Sequence, residues 1–174
     1  MWISRPCGRR GGTRYASSRR MGPRACVLVG ERETGRRAAV AAALRADGHV
    51  VLEARDGLQL LGLIEFAVEV LGRRLEELVL LADAQLPGLG GLDVLAVLRC
   101  AGHRTAVVLT AAPRDAAARR EGEGLGAVVI DRDADPAVVR RTVGRAAARP
   151  RPGTAPAVFA PSHEAGGRWT SPVG

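Results

Sequence analysis

An unbroken apolar run that ends on a single carboxylate constrains the fold of this chain more than any other feature. The run covers residues 78–82 (LVLLA), Asp83 follows it directly, and a Pro87-Gly88 turn comes shortly afterwards. A run this apolar, bounded by turn residues, is typical of a strand in a parallel sheet that is covered on both faces. In such sheets the functional groups lie just beyond the carboxyl ends of the strands. The sequence therefore predicts that Asp83 lies at the edge of a buried sheet.

Four further apolar segments alternate with helical patterns along residues 25–148. Strands are predicted at 26–30, 50–54, 78–83, 106–110 and 128–131, and helices at 34–47, 58–71, 92–100, 114–123 and 136–148. In the second helix, the apolar positions that share one face are Leu60, Leu61, Ile64, Val68 and Leu71. Such alternation requires right-handed crossovers and places helices on both sides of a parallel sheet. The predicted fold is a single three-layer α/β domain.

Positive charge is concentrated at the two ends of the chain. All 26 basic residues are Arg and the net charge is +8, of which residues 1–24 carry +7, residues 144–174 carry +3 and residues 25–143 carry −2. The segments 1–24 and 149–174 are predicted to be disordered, solvated tails. Basic tails attract nucleic acid without specificity, and 3% aromatic residues are too few for stacking platforms. No specific nucleic-acid partner is predicted.

The sequence also predicts a cytoplasmic protein without a membrane partner. No apolar stretch reaches the length of a membrane span, and the N-terminus lacks the apolar region of a secretory signal. Cys7, Cys26 and Cys100 have neither metal-type spacing nor an even count that would suggest disulfides. Met21 stands just before the first predicted strand, which leaves the true start of translation open.

Side chains that suit phosphoryl chemistry follow several of the predicted strands. The first strand ends in residues 30–33 (GERE), the third in Asp83, the fourth in Thr110-Ala111 and the fifth in residues 131–133 (DRD). In a phosphoryl transfer a carboxylate can act as the nucleophile, a hydroxyl can bond a phosphoryl oxygen, and a cation can stabilise the negative charge. Because parallel strands end at one edge of the sheet, a carboxylate, a hydroxyl and a basic side chain are predicted to converge there.

Six segments, at 27–33, 46–50, 53–57, 80–91, 107–111 and 125–127, follow one another in the order of a known family. Together they resemble the receiver domain of two-component response regulators, the chemotaxis-regulator type of flavodoxin-like fold. The resemblance implies the sheet order 2-1-3-4-5, with Asp83 as phospho-acceptor and Thr110 as the switch hydroxyl. It also implies a sensor histidine kinase or phosphotransfer protein as the partner of an active site.

The acidic pair that the resemblance implies for Mg²⁺ is incomplete. Counting back from Gly48 places the pair on Glu31 and Arg32, whereas counting along the strand places it on Gly30 and Glu31. Either alignment loses one carboxylate, and Mg²⁺ needs oxygen ligands. Glu31 remains as the candidate metal ligand, with Glu33 close enough to move in. Mg²⁺ binding is predicted to be weakened.

Other family positions also differ. The lysine after the fifth strand is replaced by Arg132, or by Asp133 if the preceding loop is counted one residue longer. An arginine pairs with phosphate but does not reproduce the point charge of an ammonium group. Val129 stands at the place of the switch aromatic residue, and Gly90 at that of an acidic residue.

Two interpretations follow for the function. In the first, Asp83 still accepts a phosphoryl group, with Glu31 holding a weak metal and Arg132 as the cation. In the second, Arg32 and Arg132 neutralise Asp83 and the domain is a phosphorylation-independent scaffold for protein interactions, which the arginines favour. Both predict a stand-alone, non-enzymatic signalling protein of two-component type whose output passes through a protein partner.

A nucleotide-binding loop is the remaining alternative. Gly30 and Gly35 have the spacing of a P-loop, but the positions of its lysine and its hydroxyl are Arg36 and Arg37. Without these two groups the loop lacks its specific chemistry, so this interpretation ranks third.

Overall fold

The computed structural model describes residues 25–149, which form a five-stranded parallel sheet of order 2-1-3-4-5 with helices on both faces. This confirms the predicted fold class. The predicted tails lie, apart from Arg149, outside the described residues. The elements are β1 (Cys26–Gly30), α1 (Thr34–Ala46), β2 (Val50–Ala54), α2 (Gly57–Glu69), β3 (Leu78–Asp83), α3 (Gly91–Cys100), β4 (Ala106–Ala111), α4 (Ala116–Gly124), β5 (Val128–Asp131) and α5 (Pro136–Ala148), with a 3-10 turn (Leu75–Glu77) before β3.

The central strand β3 is buried on both faces, which explains why its sequence does not alternate. Leu78 and Leu80 pack into a core formed with α2 and α3. Val79 and Leu81 pack into a second core formed with α1 and α5. Because successive side chains of a strand point to opposite faces, Asp83 continues the series of Val79 and Leu81 toward the α1 and α5 side.

Two helix boundaries differ from the sequence prediction by two residues, and four others differ by one. The helix α4 begins at Ala116 rather than at 114, because the carboxylate of Asp115 accepts the backbone N–H of Ala118 and caps the helix. The helix α2 ends at Glu69, so Leu71 falls beyond it and is 41% exposed. The prediction that Leu71 shares the buried face was therefore wrong.

The strand register brings the ends of β3, β4 and β5 together. Asp83 lies opposite Thr110, and Ala111 lies opposite Asp131. Neighbouring strands are about 4.8 Å apart, so Asp83 and Thr110 are adjacent across the sheet. Among the helices within 25–149, none has the length and apolar character needed to cross a bilayer.

Candidate functional site

Asp83 is fully buried, and one of its two carboxylate oxygens is held by the protein. Its side chain is 0% exposed. Oδ1 accepts two hydrogen bonds, one from the backbone N–H of Gln85 at 3.0 Å and one from Nη2 of Arg132 at 2.7 Å. Oδ2 is buried and has no hydrogen-bond partner among residues 25–149. The carboxylate thus forms an ion pair on one side and is unpartnered on the other.

Arg132 is positioned for this contact by its own backbone. Its N–H donates to the carbonyl of Ala111 at 2.8 Å, which fixes the residue against the end of β4. The hydrogen bond to Asp83 raises the pKa of Arg132, and the charges of Asp83, Glu31 and Asp133 add to the effect. The guanidinium therefore stays charged. Of the two residues left open at this position by the sequence, Arg132 is the one that contacts Asp83.

Glu31 is also buried and also paired with an arginine. Its Oε2 lies 3.2 Å from Nε of Arg36, and its Oε1 accepts the backbone N–H of Glu33 at 3.0 Å. Arg36 also forms a second ion pair, in which its Nη1 lies 3.4 Å from Oδ1 of Asp133. Arg32, predicted from the sequence to help neutralise Asp83, is exposed, and within the described part of the chain it forms no ion pair with Asp83 or Glu31. The second cation of the site is Arg36.

Glu33 caps the helix α1 and does not join Asp83. Its carboxylate accepts the backbone N–H groups of Gly35 and Arg36 at 2.8 and 2.6 Å. These two hydrogen bonds lower the pKa of Glu33. A phosphate bound by a P-loop would need such N–H groups at the start of the helix. Because a carboxylate already occupies them, the geometry disfavours the nucleotide-binding alternative.

The donor atoms as arranged do not fit Mg²⁺. The ion takes oxygen ligands in near-octahedral geometry, but both oxygens of Glu31 are engaged and Oδ1 of Asp83 faces an arginine. No group of three or more His, Cys, Asp or Glu side chains in the range 25–149 is arranged to hold a metal ion. The arginines Arg36 and Arg132 provide the positive charge at this edge of the sheet.

Thr110 and Asp83 bring two unpartnered oxygens to adjacent strands. Thr110 is 5% exposed, and its Oγ1, like Oδ2 of Asp83, has no hydrogen-bond partner in the described chain. Buried hydroxyls and carboxylates normally have partners. A further polar group at this site could satisfy these two atoms, and also Nε of Arg132, which is likewise buried without a partner in the described chain.

The loop after Asp83 contains contacts that the sequence did not single out. The side chain of Gln85 donates to Asp115 at 2.8 Å and so joins this loop to the cap of α4. A Cβ atom at Gly91 would lie 2.4 Å from the carbonyl oxygen of Asp83, so only glycine fits there. The Gly90-Gly91 pair was a visible signal of this close approach, whereas the role of Gln85 depends on tertiary contacts.

Solved structures with similar folds are receiver domains. The described fold matches the receiver domain of Francisella response regulator 1452 (18% identity, TM-score 0.59, 71% of this chain and 96% of that one). It also matches a response regulator receiver domain protein from Clostridium thermocellum (20%, 0.60, 71% and 94%). A third match is the chemotaxis response regulator CheY4 of Vibrio cholerae (20%, 0.58, 71% and 99%). The sequence matches no protein-family model and no curated protein.

The chain has the fold of a response regulator receiver domain. The resemblance found in the sequence is therefore confirmed by the structure of residues 25–149. Within this receiver-type domain, Asp83 stands at the carboxyl end of β3, and the nearest cation is Arg132.

Proposed function

We propose that this chain is a receiver-type signalling protein of the two-component class that works by binding other proteins and does not depend on phosphorylation. The observation that carries the proposal is the buried ion pair between Asp83 and Arg132 at 2.7 Å. The module comprises residues 25–148 and carries no catalytic activity of its own. Its cytoplasmic location stays a prediction from the sequence.

Charge is the physical reason for this proposal. In the receiver family, phosphorylation adds negative charge to the site, and a nearby cation must compensate that charge, as in other phosphoryl transfers. Here the cation Arg132 already contacts the carboxylate, and Arg36 already contacts Glu31. Breaking a buried ion pair leaves a charge without its partner and costs several kcal/mol, roughly 3–5. The site is thus stable in one arrangement.

The output surface is proposed to be the face built by β4 and β5 with α4 and α5. An ion pair between Arg119 and Asp131 joins α4 to the end of β5 on this face. The loop contact between Gln85 and Asp115 connects the same helix to the residues after Asp83. A protein partner bound there would therefore sense the arrangement around Asp83.

A second candidate, phosphorylation of Asp83, is favoured by one observation. Oδ2 of Asp83 and Oγ1 of Thr110 belong to residues that face each other on adjacent strands, and both atoms are buried and unpartnered within 25–149. Oδ2 could attack the phosphorus of a donor, whose bond to its leaving group would break as the new P–O bond forms, while the hydroxyl of Thr110 donates to a phosphoryl oxygen. The kinase or phosphotransfer partner predicted from the sequence belongs to this candidate.

Intact-mass spectrometry after incubation with a small phosphodonor, with and without Mg²⁺, separates the two candidates. The proposal expects no adduct on the wild-type chain. An Arg132→Lys/Arg36→Leu variant restores the family's lysine and frees Glu31, and it should gain an adduct if the arginines are what closes the site. A single adduct on the wild type that disappears in Asp83→Asn but persists in Asp133→Asn would refute the proposal and establish the second candidate.

A further inference from the structure

A cavity lies at the edge of the sheet opposite to Asp83, where β4 and β5 begin. Its volume is about 180 Å³. That is about six times the roughly 30 Å³ that a water molecule occupies in the liquid. The polar side chains that line it are Glu76, Arg99, Arg104, Thr105 and Arg149.

Arg99 forms the rigid floor of this cavity. Its guanidinium donates to three backbone carbonyls, at 2.8 Å to Leu125, 2.9 Å to His103 and 3.0 Å to Thr105. These bonds tie the ends of α3 and α4 to the start of β4. Burial lowers the pKa of Arg99, and the neighbouring charge of Arg104 adds to the effect. The charge of Arg104 is thus close enough to disfavour the protonated form of Arg99.

The balance of charge around the cavity is positive. The three arginines contribute +3 and Glu76 contributes −1. The C-termini of α3, α4 and α5 all lie at this edge and add about −0.5 each, which leaves a net charge of about +0.5. The negative charge of Glu76 is moreover partly compensated by Arg74, whose Nε lies 4.0 Å from Oε2 of Glu76. In the described chain Arg104 and Arg149 form no ion pair.

The hydroxyl of Thr105 provides the second, independent observation. Thr105 is 0% exposed, and its Oγ1 has no hydrogen-bond partner among residues 25–149. An unpartnered buried hydroxyl costs free energy, and here it stands in the wall of a positively charged cavity. A ligand that accepts this hydrogen bond and carries negative charge would satisfy both features.

We infer that this cavity is an anion site that binds a phosphate group, either free or as the terminal group of a small phosphorylated molecule. Arg104 and Arg149 supply charge that no side chain of the described chain neutralises, and Thr105 donates its hydroxyl. Arg99 holds the carbonyl-rich floor in place and screens those carbonyls from the anion. The site is separate from Asp83 because it lies at the amino ends of the strands.

Thermal unfolding of the full chain tests this inference. Inorganic phosphate and glycerol phosphate are each compared with sodium chloride at matched ionic strength. At about ten times its dissociation constant, phosphate should raise the Tm by about 5 °C. Thr105→Val conserves the shape of the side chain and removes only the hydroxyl, and Arg104→Gln removes an exposed charge. In chloride, Arg104→Gln should keep the Tm of the wild type, and Thr105→Val should equal or exceed it because the unpartnered hydroxyl is gone. Measured from its own Tm in chloride, each variant should lose most of the phosphate-dependent shift.

The matched control is Arg120→Gln, because Arg120 is exposed on α4 and forms no ion pair in the described part of the chain. It should retain the full shift, as should Asp83→Asn. Equal shifts in the control and the cavity variants would show that phosphate binds elsewhere on this arginine-rich chain and would overturn the inference, as would no shift beyond that of chloride. A larger shift with glycerol phosphate than with phosphate identifies a phosphorylated molecule as the ligand, and the reverse identifies the free ion.

Discussion

Replacing Arg132 by methionine should destabilise the domain much more than replacing Asp83 by asparagine. The two partners of the ion pair are unequally buried, because the side chain of Asp83 is 0% exposed and that of Arg132 is 21% exposed. In Arg132→Met the carboxylate stays buried and keeps only the N–H of Gln85. Losing one partner of a buried ion pair costs about 3 kcal/mol or more. In Asp83→Asn the arginine can turn to water, and the expected cost is about 1 kcal/mol.

Urea unfolding of the two single variants and of the double variant measures the difference. The double variant removes both charges, so it should be more stable than Arg132→Met, and the coupling energy of the cycle should be about 2 kcal/mol. Similar m-values across the four proteins would show that the variants unfold from comparable structures. A coupling energy near zero, or equal costs for the two single changes, would refute the argument that Arg132 compensates a buried charge.

Two further predictions concern the loops that frame the site. Gly91→Ala should destabilise the domain by about 2–3 kcal/mol, because a Cβ would lie 2.4 Å from the carbonyl oxygen of Asp83. At Gly62 a Cβ would have nothing within 4 Å, so Gly62→Ala should instead stabilise the domain by up to about 1 kcal/mol. Similar effects of both changes on urea unfolding would contradict this. Glu33 has a lowered pKa in the folded state, so its contribution to stability is present above its ordinary pKa of 4.5 and is lost as the pH falls through the folded value. Glu33→Gln should therefore be less stable than the wild type at neutral pH and nearly equal to it in acid, and a constant difference across the acid range would contradict this.

The fold could be predicted from the sequence because the sheet is buried on both faces. Its strands are short apolar runs that end in turn residues, and the alternation with amphipathic segments leaves few topologies open. The helix ends were less predictable. At Asp115 a single side-chain hydrogen bond decides where α4 begins, and a sequence pattern of charged residues at 114–123 does not contain that information.

The sequence predicted the central residues of the site, but it did not predict both of the arginines that form its ion pairs. The strand ends placed Asp83, Thr110 and Arg132 at one edge, as the structure shows. The second cation was predicted from the sequence to be Arg32, and Arg36 was missed, because the pairing depends on the direction that α1 gives to the side chains of its first turn. The structure selects Arg36, since α1 begins at Thr34 and directs that side chain back over Glu31.

The contact between Asp83 and Arg132 also joins two strands that are not neighbours in the sheet. Asp83 ends β3, Arg132 follows β5, and β4 lies between them. The strand β5 has only four residues and forms one edge of the sheet. An edge strand is open to fraying and to pairing with other chains. The ion pair therefore links β5 to β3 across β4. The protection of the β5 amides against hydrogen exchange thus depends on the charge of Asp83, which is located two strands away.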